Sequence, residues 1–356
     1  MEGDYLVPGS IRDVAKSAGV SIGTVSRAFN NYTDIKPETK KKIFEAAERL
    51  EYSPNLSARN LSSKNKKNIA LIVSGLLENN PKENLTFSMI QGVYTYACNN
   101  GLEVAVYATD SAHQKDLSYR RFCLEHSVAG VILSGVTTDD AYFNELLETT
   151  EIPCVAIDVE IPGKRVGWVS IDNMTAAKEI ANLLLDNGHR KILVISGKKN
   201  ASVTVERMVG VYAAMEEAGG KLTNDSVLYC NFSEETAFEK TREYLLKNGT
   251  SKHTAFLCFS DIMALGVMRA VRECGYRIPE DFSVTGFDGI PISEYTTPPL
   301  TTVVQDMKES GYAGAKMLHE RMEKKAEVEH DTLPHKIIKR ESIRNLLKDN
   351  REKNQA

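Results

Sequence analysis

At 356 residues, with 42% hydrophobic and 26% charged side chains, the chain has an ordinary globular composition and the length for a small head plus two larger lobes. No apolar run approaches the roughly 18 residues a membrane span needs, and residues 1–10 lack the basic-then-apolar pattern of a secretory signal, so the expected compartment is the cytoplasm. The net charge of −4 conceals an asymmetry: residues 11–67 hold twelve basic and six acidic side chains, whereas the residues beyond hold 32 basic and 40 acidic. A basic end on an acidic body suits a polyanion-binding head, although charge alone would equally describe a solvated surface. The six cysteines (98, 123, 154, 230, 258 and 274) show no Cys-x-x-Cys metal spacing and sit mostly in apolar runs, which predicts buried, reduced thiols.

Ser10-Ile11-Arg12-Asp13 has the form of a capping box that opens a helix. Ile11, Val14, Ala15 and Ala18 then fall on one helical face, Gly19 supplies a turn, and Ser21 caps a second helix carrying Ile22, Val25 and Phe29. Two short helices about a glycine turn are either a helical hairpin of an unrelated core or the helix-turn-helix pattern, in which the second helix presents its amino end to the major groove. The short polar residues Ser21, Gly23, Thr24, Ser26 and Arg27 suit that end. Arg27 can pair with guanine through two hydrogen bonds, worth roughly 1–3 kcal/mol of discrimination. Pro37 suits the first turn of a third helix, whose Ile43, Ala46, Ala47 and Leu50 close a miniature core. Lys40, Lys41 and Lys42 are either solvated surface or an electrostatic guide to phosphates. Ser53-Pro54 opens a helix of one to two turns, too short to be stable alone in water.

These residues resemble the lactose-repressor family of bacterial transcriptional regulators. The resemblance runs without gaps from Ile11 to Asn30, with Ala18-Gly19-Val20-Ser21 and Thr24-Val25-Ser26-Arg27 at its centre. It continues through Tyr52-Ser53-Pro54-Asn55 and Ala58-Arg59-Asn60-Leu61, which resemble the family's linker and hinge helix. It implies that Ile22, Gly23 and Arg27 read bases, that Asn30 touches the backbone, and that the hinge contributes Asn55, Ala58 and Leu61. Leu61 would be the apolar lever in the minor groove. Gly23 departs from the side chain most relatives carry, so an operator sequence does not transfer from them.

From Asn68 onward, apolar runs alternate with amphipathic stretches. Strands are expected at 69–73, 103–108, 128–133 and 153–158, with a helix at 87–98, and the rhythm restarts with strands at 191–196, 255–259 and 282–286. Such alternation predicts an α/β body of two parallel sheets with a cleft between them. Ligands of such sheets sit beyond the strands' carboxyl ends, where Asp158, Arg207, Ser260-Asp261 and Asp288 fall. Carboxylates, an arginine and an aromatic ring in a cleft suit a sugar. Asp261 is read either as a ligand contact or as a helix cap, Asp158 as a ligand contact or a plain loop residue, Phe87 and Phe232 as cleft or core aromatics, and Trp168 as a lobe-packing residue.

The resemblance extends over this body through Phe259-Ser260-Asp261-Ile262-Met263-Ala264-Leu265-Gly266, residues 278–288 and residues 298–306. It implies a periplasmic-binding-protein-like (type I) effector domain with three crossovers between its lobes. The expected division is a head at 10–53, a hinge and linker at 54–67, and an effector domain at 68–340. Its first lobe would take about 68–170 and 302–330, its second about 171–301 and 331–345. By resemblance Arg207 and Asp288 contact the effector, and Phe87, Phe232 and Gln305 occupy cleft positions. Ser260 stands where many relatives carry Asn.

Residues 340–356 show no sustained leucine heptads, so a homodimer reading a pseudo-palindromic operator is expected. No Gly-x-Gly-x-x-Gly follows a strand, and there is no phosphate loop, Gly-x-Ser-x-Gly or metal-spaced histidine cluster. A DNA-binding repressor governed by a small-molecule effector, with a sugar the favoured class and without enzymatic activity, cofactor or metal, is the resulting expectation. The alternatives are a sugar-binding protein without DNA-specific function and a regulator controlled by a protein co-regulator. Effector binding would shift lobe closure and decide whether residues 55–63 fold as helices on the operator.

Overall fold

In a computed structural model, the structure describes residues 9–29, 32, 34–52, 68–76, 85–148, 151–323 and 330–348. The chain divides into two units, Met1–Lys66 and Lys67–Ala356. The first contains helices α1 (Ile11–Ala18), α2 (Ile22–Phe29) and α3 (Pro37–Arg49). The capping box is present: the Asp13 amide donates to Ser10 Oγ at 3.4 Å and the Ser10 amide to Asp13 Oδ2 at 2.9 Å. Gly19 ends α1 at φ 69°, a left-handed position that glycine adopts without steric cost. Val14, Val25, Ala28, Ile43 and Ala46 are fully buried between the three helices. Phe29 meets Phe44 and Tyr52 edge-on at 5.0 and 5.8 Å. Ile22, expected on the apolar face of α2, is instead 45% exposed. The core is closed by Val25 and Ala28, leaving Ile22 at the helix's outer end.

The second unit begins with β1 (Asn68–Ser74), α4 (Leu85–Asn100), β2 (Glu103–Thr109), α5 (Ser111–Asp116), α6 (Tyr119–Glu125), β3 (Gly130–Ser134), α7 (Ala141–Glu148), β4 (Cys154–Ile157) and β5 (Val166–Ile171). It continues with α8 (Asn173–Asp186), β6 (Ile192–Ser196), α9 (Ser202–Glu217), β7 (Val227–Tyr229), α10 (Glu234–Asn248), β8 (Ala255–Cys258), α11 (Asp261–Glu273) and β9 (Ser283–Asp288). The closing elements are β10 (Thr301–Val304), α12 (Met307–Met322), β11 (His330–Leu333) and β12 (Lys336–Ile338). One sheet has the order β11-β5-β4-β3-β1-β2 and the other β12-β10-β9-β8-β6-β7. All pairings are parallel except β10 with β12. The central strands β1, β3, β4, β6 and β8 are apolar runs because helices cover both faces, and β9 is buried throughout although it carries Ser283, Thr285 and Asp288.

The chain passes between the sheets three times, after β5, after β10 and after β11. The expected lobe boundaries therefore need correction: β10 pairs with β9 in the second sheet, whereas β11 pairs with β5 in the first. Five strands escape the sequence reading. Among them β11 and β12 are short edge strands with exposed positions, and β7 is three half-buried residues. Helices α4 and α12 cross at glycines: a Cβ on Gly92 would lie 1.9 Å from the Lys308 carbonyl oxygen, and one on Gly311 2.1 Å from that of Met89. Trp168 packs on the first lobe's core and stacks on His330 at 5.2 Å. Four cysteines are buried and Cys274 is half-buried, but Cys98 is exposed near the end of α4, against expectation.

Candidate DNA-reading face and effector cleft

The amino end of α2 is polar and open. Ser21 Oγ accepts the Thr24 amide at 3.1 Å, which satisfies an amide the helix start leaves without a partner. Ser21, Ile22, Gly23 and Arg27 are exposed and Thr24 is half-buried. A Cβ on Gly23 would meet only Ser21 Oγ, at 3.7 Å, so packing does not require glycine there. The Arg27 guanidinium pairs with the Asp34 carboxylate and lies 5.1 Å from the Tyr32 ring. Asn30, Asn55, Ala58 and Leu61 lie outside the described residues.

In the second unit a cleft of about 820 Å³ opens at the carboxyl ends of both sheets, where α/β folds place their ligands. Ser134 to Thr137 and Asp158 reach it from the first lobe, and Arg207, Phe232, Ser260 and Asp288 from the second, with Gln305 at a crossover. Arg207 is 3% exposed. Its Nε donates to Asn173 Oδ1 at 2.8 Å and its Nη1 to the Phe259 carbonyl at 2.5 Å. The Phe287 ring lies 3.6 Å from its Cζ, so protein contacts alone fix the fork's orientation. Burial pulls the guanidinium's pKa down, and Asp288 and Asp158 oppose that pull.

Asp288 Oδ1 lies 3.9 Å from Arg207 Nη1 and accepts Gln305 Nε2 at 2.7 Å. Burial pushes the Asp288 carboxyl up to about 7 despite Arg207. Asp158, half-buried, accepts Ser170 Oγ at 2.9 Å and is likewise raised by burial. Asn173 Nδ2 donates to Ser170 Oγ at 3.1 Å. Asp158, Ser170, Asn173, Arg207, Asp288 and Gln305 thus form one polar chain that begins in the first lobe and ends in the second. Both carboxylates have positive φ, 61° at Asp158 and 114° at Asp288, a strained backbone of the kind that gathers at ligand sites.

Phe232 also has a positive φ, 58°. Its ring lies so close to Gly197 that a Cβ there would come within 2.1 Å. Phe87 is absent from the cleft lining and is 55% exposed. It is Leu85 and Thr86 that line the cleft, and the helical twist turns Phe87 away. Asp261 is fully buried, accepting Thr302 Oγ1 at 2.5 Å and the Ile290 amide at 2.9 Å. The cap of α11 comes from Ser260, whose Oγ accepts the Met263 amide at 3.2 Å. Asp261 therefore ties strands together, and its pKa is raised well above the usual range by burial and then by Asp288.

Sequence reasoning misses Lys198, Glu234 and Glu235 in the lining, whose only signal is their place after strand ends. It also misses a clasp between the lobes. The Thr138 amide and Oγ1 donate to the Asn200 carbonyl at 3.1 and 3.2 Å. Asn200 Nδ2 in turn donates to Thr137 Oγ1 at 3.3 Å and to Asp139.

Among known proteins, residues 10–55 match the model for bacterial regulatory proteins of the lacI family, and residues 181–343 that for a periplasmic binding protein-like domain. The chain is 33% identical over 324 residues to the HTH-type transcriptional repressor PurR of Vibrio vulnificus, spanning 90% of this chain and 93% of the relative. It is 32% identical to the repressor of the same name from Photobacterium profundum, spanning 89% and 92%. Among solved structures it is similar to a lac repressor dimer bound to operator and the anti-inducer ONPF, with TM-score 0.82 and 25% identity over 95% of this chain and all of that one. A complex of the transcriptional regulator CelR with cellobiose aligns with TM-score 0.70 and 26% identity over 94% and 99%.

Proposed function

The chain belongs to the lacI family of bacterial regulatory proteins, and on that premise we propose that it is a dimeric cytoplasmic repressor whose cleft takes a neutral sugar. The head supplies operator binding, with Ser21, Ile22, Gly23, Thr24 and Arg27 on the DNA-facing end of α2 and Asn30, Asn55, Ala58 and Leu61 completing the contacts. The operator is a pseudo-palindrome read by two heads. The protein has no catalytic role and needs no cofactor.

The observation that carries the sugar reading is the polar chain from Asp158 through Arg207 to Gln305. Carboxylates accept and the guanidinium and amide donate, and a sugar hydroxyl does both. Phe232 adds an apolar face. Glu234 and Glu235 balance Arg207 and Lys198 in the lining even when Asp158 and Asp288 carry protons, so no excess of positive charge favours an anionic effector. The complex of CelR with cellobiose supports the same class.

A sugar that binds the two lobe arrangements unequally shifts the population between them. Coupling of about 1–3 kcal/mol changes DNA affinity roughly 5–150-fold. Calorimetric titration of the full chain with pentoses, hexoses, disaccharides and purine bases tests the reading. Saturable heat with a sugar, lost in Arg207→Ala, is expected. Heat with a purine base alone would replace the sugar reading.

A further inference from the structure

A second cavity, of about 500 Å³, lies at the opposite edge of the second lobe's sheet. Arg190 and Lys191 precede β6, Lys221 and Ser226 precede β7, and Lys252 and His253 precede β8; all six line it. The three strands are parallel, so the same strands run from this cavity to the effector cleft. No carboxylate is among its lining residues. Lys252 reaches Asp225 only at 3.9 Å, and that aspartate is 83% exposed. Lys191 and Lys221 form no ion pair or side-chain hydrogen bond among the described residues.

Basic residues near helix carboxyl ends ordinarily offset the carbonyls left open there. At this edge much of that work is done within the chain. The Gly220 amide donates to the Met215 carbonyl at 2.8 Å, that of Gly188 to Leu185 at 3.0 Å and that of Gly249 to Leu245 at 2.9 Å. Arg190 Nη1 also donates to the Leu185 carbonyl, at 2.6 Å, and Ser251 Oγ to that of Asn248, at 2.7 Å. The lysines are left over from this capping. Their field reaches the cavity's inner wall: His253, 4% exposed, has its pKa pushed down to about 4 by burial and then by Lys252 and Lys191. Ser226 Oγ stands 3.3 Å from His253 Nε2, so a hydroxyl and an imidazole back the ammonium groups.

We propose that this cavity binds the phosphoryl group of a small metabolite, at a site separate from the effector cleft. The Lys191 and Lys221 ammonium groups, without an ion pair among the described residues, and a neighbouring hydroxyl match a phosphoryl dianion, and the volume is that of a small-molecule site. The inference does not depend on what occupies the cleft.

The test is thermal unfolding of the full chain in sodium phosphate, glucose 6-phosphate or adenosine monophosphate, each against sodium chloride at equal ionic strength. A ligand at ten times its Kd raises Tm by roughly 2 °C or more. The two organic phosphates distinguish a sugar from a nucleoside as the group's carrier, and a response to phosphate alone assigns the free ion. The shift disappears in the exposed double variant K191Q/K221Q. The His253 ring signals, assigned with H253N, move on titration with phosphate in the wild-type protein. The proposal is overturned if chloride matches phosphate, if no phosphate shifts Tm, if K191Q/K221Q keeps the shift, or if the His253 signals stay still.

Discussion

Arg207 Nη1 and Asp288 Oδ1 face each other across 3.9 Å, with side chains only 3% and 6% exposed. Neither is a surface ion whose attraction water would screen. Each is held by neighbours, Arg207 by Asn173 and the Phe259 carbonyl and Asp288 by Gln305, so the gap between them is set by the fold. The arginine's fork makes this possible, and a lysine cannot reproduce it. Arg207→Lys is expected to weaken effector binding roughly ten- to hundred-fold, the loss of one or two charge-assisted hydrogen bonds. Calorimetry with the bound sugar measures it, and unchanged affinity would remove Arg207 from the site.

Asp288 keeps its proton up to about 7, whereas an unfolded aspartate loses it near 4. Between those values the folded chain binds more protons than the unfolded one, so this group's stabilising contribution falls as pH rises from about 4 through 7. Asp288→Asn removes the titration while keeping the shape. Urea midpoints measured from pH 5.5 to 8 should decline more steeply in the wild type than in the variant. Parallel curves would place Asp288 at an ordinary pKa.

The clasp on Asn200 joins loops of the two lobes. Asn200→Ala removes its side-chain bonds but leaves those to its carbonyl. Each such bond is worth about 0.5–1.5 kcal/mol net, so effector affinity should drop a few-fold with little change in Tm. An affinity equal to wild type would mean that the clasp does not favour the ligand-bound arrangement.

Arg27 is expected to read a base, and its guanidinium is engaged with Asp34 and Tyr32. Against a duplex selected from random sequence by the wild type, Arg27→Ala should lose roughly 5–150-fold in affinity, measured by fluorescence anisotropy. Binding to random duplex should fall far less, since phosphates dominate there. Equal losses on both would make Arg27 a phosphate contact.

At the α4–α12 crossing, Gly311→Ala would force a methyl to within 2.1 Å of the Met89 carbonyl oxygen. Overpacking of this kind costs about 1–3 kcal/mol, or a Tm lower by roughly 2–10 °C. A Tm within a degree of wild type would show that the helices separate at little cost.

The parts legible in the sequence were those where one pattern answers to one physical cause. The capping box at Ser10 and the turn at Gly19 announce α1, and Ile69 to Val73 reads as a strand because both faces of its sheet are covered. Asp158 and Asp288 could be found because they stand at strand ends, whereas Arg207 lies inside α9, well beyond the end of β6. Edge strands such as His330–Leu333 carry no such pattern, since their side chains face solvent. Phe87 is neither a cleft nor a core aromatic but exposed, because a helix start within one or two residues of the cleft can turn either way. Glu234, Glu235 and Asn200 belong to loops or a helix start, and only the folding of distant strands brings them to the cleft.

The central claim is that occupation of the cleft changes affinity for DNA. Fluorescence anisotropy of the wild-type-selected duplex, with and without the sugar identified by calorimetry, measures this directly. Affinity is expected to change by roughly 5–150-fold at saturating sugar and to stay constant in Arg207→Ala. A sugar that saturates the cleft while operator affinity remains unchanged would contradict the account.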